Sequence, residues 1–95
     1  MAQPSESTPR GPVAREDVVF RPLADEWVLF DPTEHRLHVL NLTAALVWTH
    51  CDGTLDLDGL AAEVGGAFDD PPPADEIVRE VKEALERFRG EGLLR

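Results

Sequence analysis

Short apolar runs separated by turn residues fill the first half of the chain, and longer periodic stretches fill the second half. Residues 18–20 form a β-favouring triplet, residues 27–30 form a short apolar run, and residues 36–40 alternate polar with apolar side chains. The sequence Asp-Pro-Thr-Glu at 31–34 has turn chemistry and joins the second and third segments. The pattern predicts three strands, of which the last two form a hairpin.

The third predicted strand separates its side chains into two sets. Leu37 and Val39 face one way, while Arg36, His38 and Leu40 face the other way, because successive side chains of a strand alternate. A strand of this kind, left at the edge of a sheet, can accept another peptide as its neighbour.

Three helices are predicted after the strands. Asn41 or Thr43 caps the first, and the second begins near Thr54 or Asp56. Three prolines at 71–73 break the chain before the third helix. The apolar face of the third helix consists of Ile77, Val78, Val81, Ala84, Leu85 and Phe88.

The order of elements predicts an α+β fold of winged-helix type, with a three-stranded antiparallel sheet followed by a three-helix bundle. The chain has 95 residues, enough for one small domain. Residues 1–16 are rich in Pro, Ser, Gly and charge and are predicted to form a disordered tail. Residues 17–95 are predicted to form the domain, in which Leu93 and Leu94 fold back towards the core.

The charge of the chain argues against two classes of partner. The formal net charge is −10, which opposes both nucleic acid, whose binding rests on phosphate neutralisation, and an anionic membrane surface. The single cysteine cannot form an internal disulfide and fits a reducing cytoplasm. The sequence has no apolar run of membrane-spanning length and no export signal at its N-terminus, so we expect a cytoplasmic protein.

The sequence contains little support for a metal site or a catalytic site. His35, His38, His50 and Cys51 have poor spacing for zinc, which favours spaced pairs, so we expect no metal site. Cys51 follows directly on His50 near a helix C-terminus, where the helix dipole disfavours a thiolate. We therefore expect surface histidines and a small buried thiol, with no catalytic residue and no cofactor.

Several motifs together resemble the PqqD-like family. They are Leu-Phe-Asp at 29–31, Leu-Asn-x-Thr-Ala at 40–44, Val-Trp at 47–48, Cys-Asp-Gly at 51–53 and Gly-Leu-Leu at 92–94. The resemblance covers roughly residues 18–95. A longer N-terminal tail and the triple proline at 71–73 depart from the family pattern.

The resemblance implies a non-catalytic peptide chaperone, a recognition element for ribosomally made, modified peptides. Such proteins bind the leader of a precursor peptide and deliver it to a radical SAM enzyme, a leader peptidase or a cyclase. In the family the leader lies as an extra antiparallel strand on the third strand, in a groove closed by the third helix. Carried onto this chain, the peptide-binding residues are Arg36, Leu37, His38, Val39, Leu40, Asp75, Val78, Arg79, Lys82, Leu85 and Glu86.

Other functions remain open from the sequence. A winged-helix transcriptional regulator has the same topology, although the acidic charge opposes DNA binding. A small enzyme would use Cys51 and the histidines, and a structural subunit would bind the enzyme but no peptide. The strand edge also allows a homodimer. The precursor can belong to a quinone-cofactor pathway, a lasso-type pathway or another one.

Overall fold

A three-stranded antiparallel sheet opens the fold, as predicted. The computed structural model describes residues 10–95. The strands are β1 (Val19–Leu23), β2 (Glu26–Asp31) and β3 (Arg36–Leu40), in the spatial order β1-β2-β3. The first two strands are longer than predicted, because a turn of only two residues joins them. Ala24 in that turn has φ 51°, in the left-handed region that tight hairpin turns require.

Pro22 blunts one edge of the sheet. It pairs with Trp27, next to the Leu23–Glu26 pair that closes the two-residue turn. Bonded and non-bonded pairs alternate along an antiparallel ladder, so Pro22 occupies a non-bonded position and its missing N–H points outward. The outer edge of β1 therefore lacks a donor that a further strand would need.

Helices form the second half of the fold. They are α1 (Leu42–Thr49), α2 (Leu57–Gly66) and α3 (Ala74–Gly90). Of the two predicted caps for α1, the structure uses Asn41, whose side chain accepts the Ala44 N–H at 2.8 Å. Because Asn41 follows β3 directly, the chain passes from sheet to helix without a loop. The end of β3 is thus fixed to the start of α1.

The core lies between the inner face of the sheet and the three helices. Trp48 of α1 packs edge-to-face on Phe88 of α3, with ring centroids 5.3 Å apart. The fully buried apolar side chains are Leu29, Leu40, Val47, Leu60, Val64, Val81, Phe88 and Leu93. The predicted return of Leu93 to the core is confirmed, and the predicted apolar face of α3 is buried except for Val78, which is half-buried.

The segment from residue 10 to residue 15, which lies in the predicted N-terminal tail, is hydrogen-bonded to the rest of the domain. Residues 1–9 lie outside the described residues, but residues 10–15 pair with two other segments of the domain. The Ala14 N–H donates to the Cys51 carbonyl at 2.8 Å, and the Arg15 N–H donates to the Leu93 carbonyl at 2.9 Å. Residues 10–15 therefore form a strap between the loop after α1 and the C-terminus. The strap could not be predicted from the sequence, because it is held by backbone hydrogen bonds and has no apolar periodicity.

Arg15 ends the strap in a network of ion pairs and hydrogen bonds. Its two terminal nitrogens donate to the two carboxylate oxygens of Asp31, at 3.2 and 3.1 Å, and it also bonds Asp17, Thr33 and the Gly92 carbonyl. Asp31 is only 1% exposed. The hydrogen bonds from Arg15 keep the pKa of Asp31 below its ordinary value, with help from the backbone N–H groups of Glu34 and Thr33. This network joins the strap, the β2–β3 turn and the C-terminus.

The strap can be tested through Gly11. A Cβ added there would lie 1.7 Å from the Leu55 carbonyl oxygen, whereas a Cβ added at Gly66 meets nothing within 4 Å. We expect Gly11→Ala to lower the free energy of unfolding by about 1–3 kcal/mol, because the backbone must shift. Gly66→Ala, the control, should leave it unchanged or raise it by up to about 1 kcal/mol. Urea denaturation measures both. Equal stability of the two variants would show that the strap does not dock in solution.

The Arg15–Asp31 pair predicts a dependence of stability on pH. A carboxylate whose pKa falls on folding stabilises the fold above its ordinary pKa near 3.8, and this stabilisation disappears as the pH falls through the lower folded-state value. We expect Asp31→Asn to unfold at a lower temperature than wild type at pH 7. The two melting temperatures should converge well below pH 4. Thermal melts across pH 2–7 provide the measurement, and a constant difference over that range would contradict it.

Candidate functional site

The outer edge of β3 is open. In the part of the chain that the structure describes, β2 alone pairs with β3. An Arg87 nitrogen reaches the Val39 carbonyl oxygen from outside the sheet at 3.0 Å, which shows that this carbonyl points away from β2. By the alternation of antiparallel pairs, Leu37 and Val39 both direct N–H and C=O outward. These four backbone groups are the ones that an added strand would use.

Side chains of β3 alternate as predicted. His38 and Leu40 are buried on the core face, whereas Leu37 and Val39 are 68% and 51% exposed on the outer face. These two large apolar side chains gain little hydrophobic stabilisation on folding, because most of their surface stays in water. The outer face beside the open edge is therefore an apolar surface without a covering element among the described residues.

A groove of about 710 Å³ lies between β3 and α3. Its walls come from the end of β3, the start of α1 and one side of α3. The lining residues are Val39, Asn41, Thr43, Ala44, Arg79, Glu80, Glu83, Ala84 and Arg87. Most of them are polar, so the groove favours polar or charged side chains on an occupant.

Only one of the six residues predicted from α3 lines this groove. Arg79 does, whereas Lys82, Leu85 and Glu86 line a cavity beside the strap, together with Arg10 and others. Val78 lines a cavity between α2 and α3, and Asp75 lines none of these three. The separation follows from helical phase: 79, 83 and 87 share one side of a helix, while 78, 82 and 86 are turned from it by about 100°.

Sequence reasoning missed several groove residues. Glu80, Glu83 and Arg87 are not among the predicted peptide-binding residues, and Thr43 is predicted only as a possible cap of α1. Arg79, Glu83 and Arg87 are spaced four apart with alternating charge, a pattern of residues that share one helix side. That spacing, measured from the buried positions Val81 and Phe88, puts them on one side of α3 but does not say which element lies next to that side.

Three polar contacts tie α3 to the edge of the sheet and to α1. The Thr43 hydroxyl lies 3.3 Å from a Glu80 carboxylate oxygen. Arg87 donates to the Val39 carbonyl, and Arg36 forms an ion pair with Glu91 at 3.0 Å. The last pair is exposed and contributes little free energy. The groove is therefore held at both ends by weak contacts.

The histidines and the cysteine do not form a site. Among residues 10–95 no group of three or more His, Cys, Asp or Glu side chains could hold a metal ion. Cys51 is buried as expected, and this burial, with Asp52 adding to it, raises the pKa of its thiol to about 12. His38 corrects the expectation of surface histidines: it is buried, and its Nε2 has no hydrogen-bond partner among the described residues.

Comparisons with known proteins agree with the fold and with the resemblance. The family described as Coenzyme PQQ synthesis protein D (PqqD) has a model that matches residues 26–94. A solved structure of TbiB1 in complex with the TbiA(beta) leader peptide is similar, with a TM-score of 0.70 at 14% identity, over 87% of this chain and 94% of that one. No curated protein matches. Within residues 10–95, none of the helices has the length and hydropathy to cross a membrane.

Cys51 offers a test of the buried, inactive thiol. At pH 8 a thiol with a pKa of about 12 is almost wholly protonated, so we expect native protein to react with iodoacetamide far more slowly than a free cysteine. Protein unfolded in urea should react at the rate of an ordinary thiol. Mass spectrometry over time measures both rates. Fast labelling of the native protein would contradict the burial of Cys51.

Proposed function

This chain belongs to the PqqD family, and from that premise we propose that it binds the leader of a ribosomally made precursor peptide. The leader pairs with β3 as a fourth, antiparallel strand and is presented to a modifying enzyme. One observation carries the proposal: the open edge of β3 has outward-pointing backbone groups at Leu37 and Val39, beside a groove whose far wall is α3.

Strand addition separates affinity from selectivity. Backbone hydrogen bonds to Leu37 and Val39 would supply affinity for any extended peptide. Alternate side chains of the peptide would determine which sequences bind. On one side those side chains would meet the exposed Leu37 and Val39, and on the other the polar groove. The proposed ligand is therefore an extended segment in which apolar residues alternate with polar ones.

The residues that we propose to contact the peptide differ from the predicted list on α3. Arg36, Leu37, His38, Val39 and Leu40 remain as the receiving strand. Leu37 and Val39 would supply the backbone hydrogen bonds, whereas the backbone groups of His38 and Leu40 face β2 and their side chains are buried. From α3 we retain Arg79 and add Glu80, and Glu83 and Arg87 line the same groove.

The proposed role is that of a non-catalytic adaptor. Its enzyme partner would be a radical SAM enzyme, a leader peptidase or a cyclase, and its setting the cytoplasm, which suits a single free cysteine. The complex of TbiB1 with the TbiA(beta) leader peptide supports peptide binding by this fold. The buried, protonated Cys51 supports a role without nucleophilic chemistry.

A DNA-binding function has no observation in its favour. The cations of α3 alternate with carboxylates and form no basic stripe, and the whole chain carries a formal charge of −10. A homodimer formed through β3 would use the same edge and would compete with the leader.

Val39→Pro tests the proposed pairing. Proline removes the outward N–H of Val39 without removing a bond to β2, because Val39 occupies a non-bonded pair with Val28. With the leader peptide of a precursor encoded beside this gene, we expect about a ten-fold weaker Kd, the loss of one peptide hydrogen bond with some local distortion. NMR titration of labelled protein measures it.

The matched control is Val39→Ala, which keeps the N–H and shortens the side chain. It should bind within about three-fold of wild type. In the wild type, shifts should concentrate at Arg36–Leu40 and the groove side of α3. Saturating peptide without shifts at Leu37 and Val39 would refute strand addition. Sedimentation of the free protein would reveal a competing dimer.

A further inference from the structure

Arg87 already occupies one of the backbone groups that an added strand needs. Its guanidinium donates to the Val39 carbonyl oxygen at 3.0 Å. An antiparallel strand pairing with Val39 must donate its own N–H to that carbonyl. From this overlap we infer that Arg87 is a latch on the open edge of β3. The latch is closed in the free protein and is displaced when a peptide binds. The inference rests on the proposed function of β3.

The contact is suited to a latch because of its modest strength. Arg87 is exposed, so its bond to Val39 competes with water and is worth little net free energy. It nevertheless satisfies a carbonyl on an open edge and places a charge there, two features that discourage chance strand pairing. A peptide that forms several edge bonds at once can displace it, whereas a single contact cannot.

A second position for the guanidinium lies one helical turn away. Glu83 precedes Arg87 by four residues and lines the same groove, so the two residues lie on the same side of α3. A glutamate four residues before an arginine is a favourable helix pair. Once the Val39 carbonyl is taken by the peptide, Arg87 can pair with Glu83 instead. The latch thus has a closed position on Val39 and an open position on Glu83.

The Arg36–Glu91 ion pair lies beside the latch. It joins the first residue of β3 to the residue after α3 at 3.0 Å, in the same strip of surface. A strand running the length of β3 must pass this pair also. Because both partners are exposed, it adds only a small further resistance.

The test compares Arg87→Ala with Arg89→Ala. Both changes remove one positive charge from the last turn of α3, but Arg89 lies outside the groove, beside the strap. The probe is the synthetic leader peptide of the precursor encoded beside this gene, titrated into labelled protein. We expect Arg87→Ala to bind about three- to ten-fold tighter than wild type, and Arg89→Ala to bind within about two-fold.

Glu83→Gln tests the open position. Without the carboxylate the displaced guanidinium loses its partner, so we expect about two- to five-fold weaker binding than wild type. The same change in the Arg87→Ala background should have no effect. Binding of Glu83→Gln equal to wild type would overturn the two-position form of the latch.

The free protein gives an independent measurement. The carbonyl ¹³C shift of Val39 should move in Arg87→Ala and stay in place in Arg89→Ala. An unmoved Val39 signal would overturn the latch whatever the peptide does.

The two proposals fail in different ways. If wild type and Arg87→Ala both show peptide shifts at Leu37 and Val39 with equal Kd, the latch is wrong and strand addition stands. If neither protein shows shifts at saturating peptide, both proposals are overturned. Peptide-induced shifts in Arg87→Ala but not in wild type would support a latch that blocks the edge completely.

Discussion

The bidentate pair between Arg15 and the buried Asp31 fixes the geometry on which the rest of the domain depends. It joins the strap to the end of β2, and through Thr33 and Gly92 it holds the β2–β3 turn and the C-terminal residues. The desolvation of the buried Asp31 carboxylate offsets part of the attraction, but the pKa of Asp31 stays below its ordinary value because the hydrogen bonds from Arg15 outweigh that cost. Because Gly92 follows α3, this arrangement also sets where the end of α3 lies beside β3.

The position of the open edge of β3 follows from this arrangement. β3 is held at its start by the turn that Asp31 organises and at its end by the Asn41 cap of α1. Its backbone is therefore extended and fixed before any peptide arrives, which lowers the ordering cost of binding. The groove wall supplied by α3 is fixed by the core residue Phe88, which packs on Trp48. Arg87, next to Phe88 in sequence, is thereby presented to the edge.

Much of the fold could be read from the sequence, because local patterns determine it. The alternation in β3, the cap residue Asn41 and the apolar periodicity of α3 each carry a short-range signal. The strap carried no such signal, since its partners lie about forty and eighty residues away and are met through backbone groups. The phase of α3 against β3 was missed for a related reason: periodicity identifies the buried face of a helix but not which neighbour lies on each flank. Arg79 lines the groove beside β3, while Lys82 and Glu86 line the cavity beside the strap.

Pro22 has a consequence for self-association. A sheet with two open edges can join others end to end and grow without limit, whereas a sheet with one blocked edge terminates after a single pairing. With β1 blunted and β3 open, two copies of this domain that met edge to edge would leave only blocked edges outside. Because of Pro22, edge-to-edge pairing of this domain through β3 would favour a closed pair over a growing fibre.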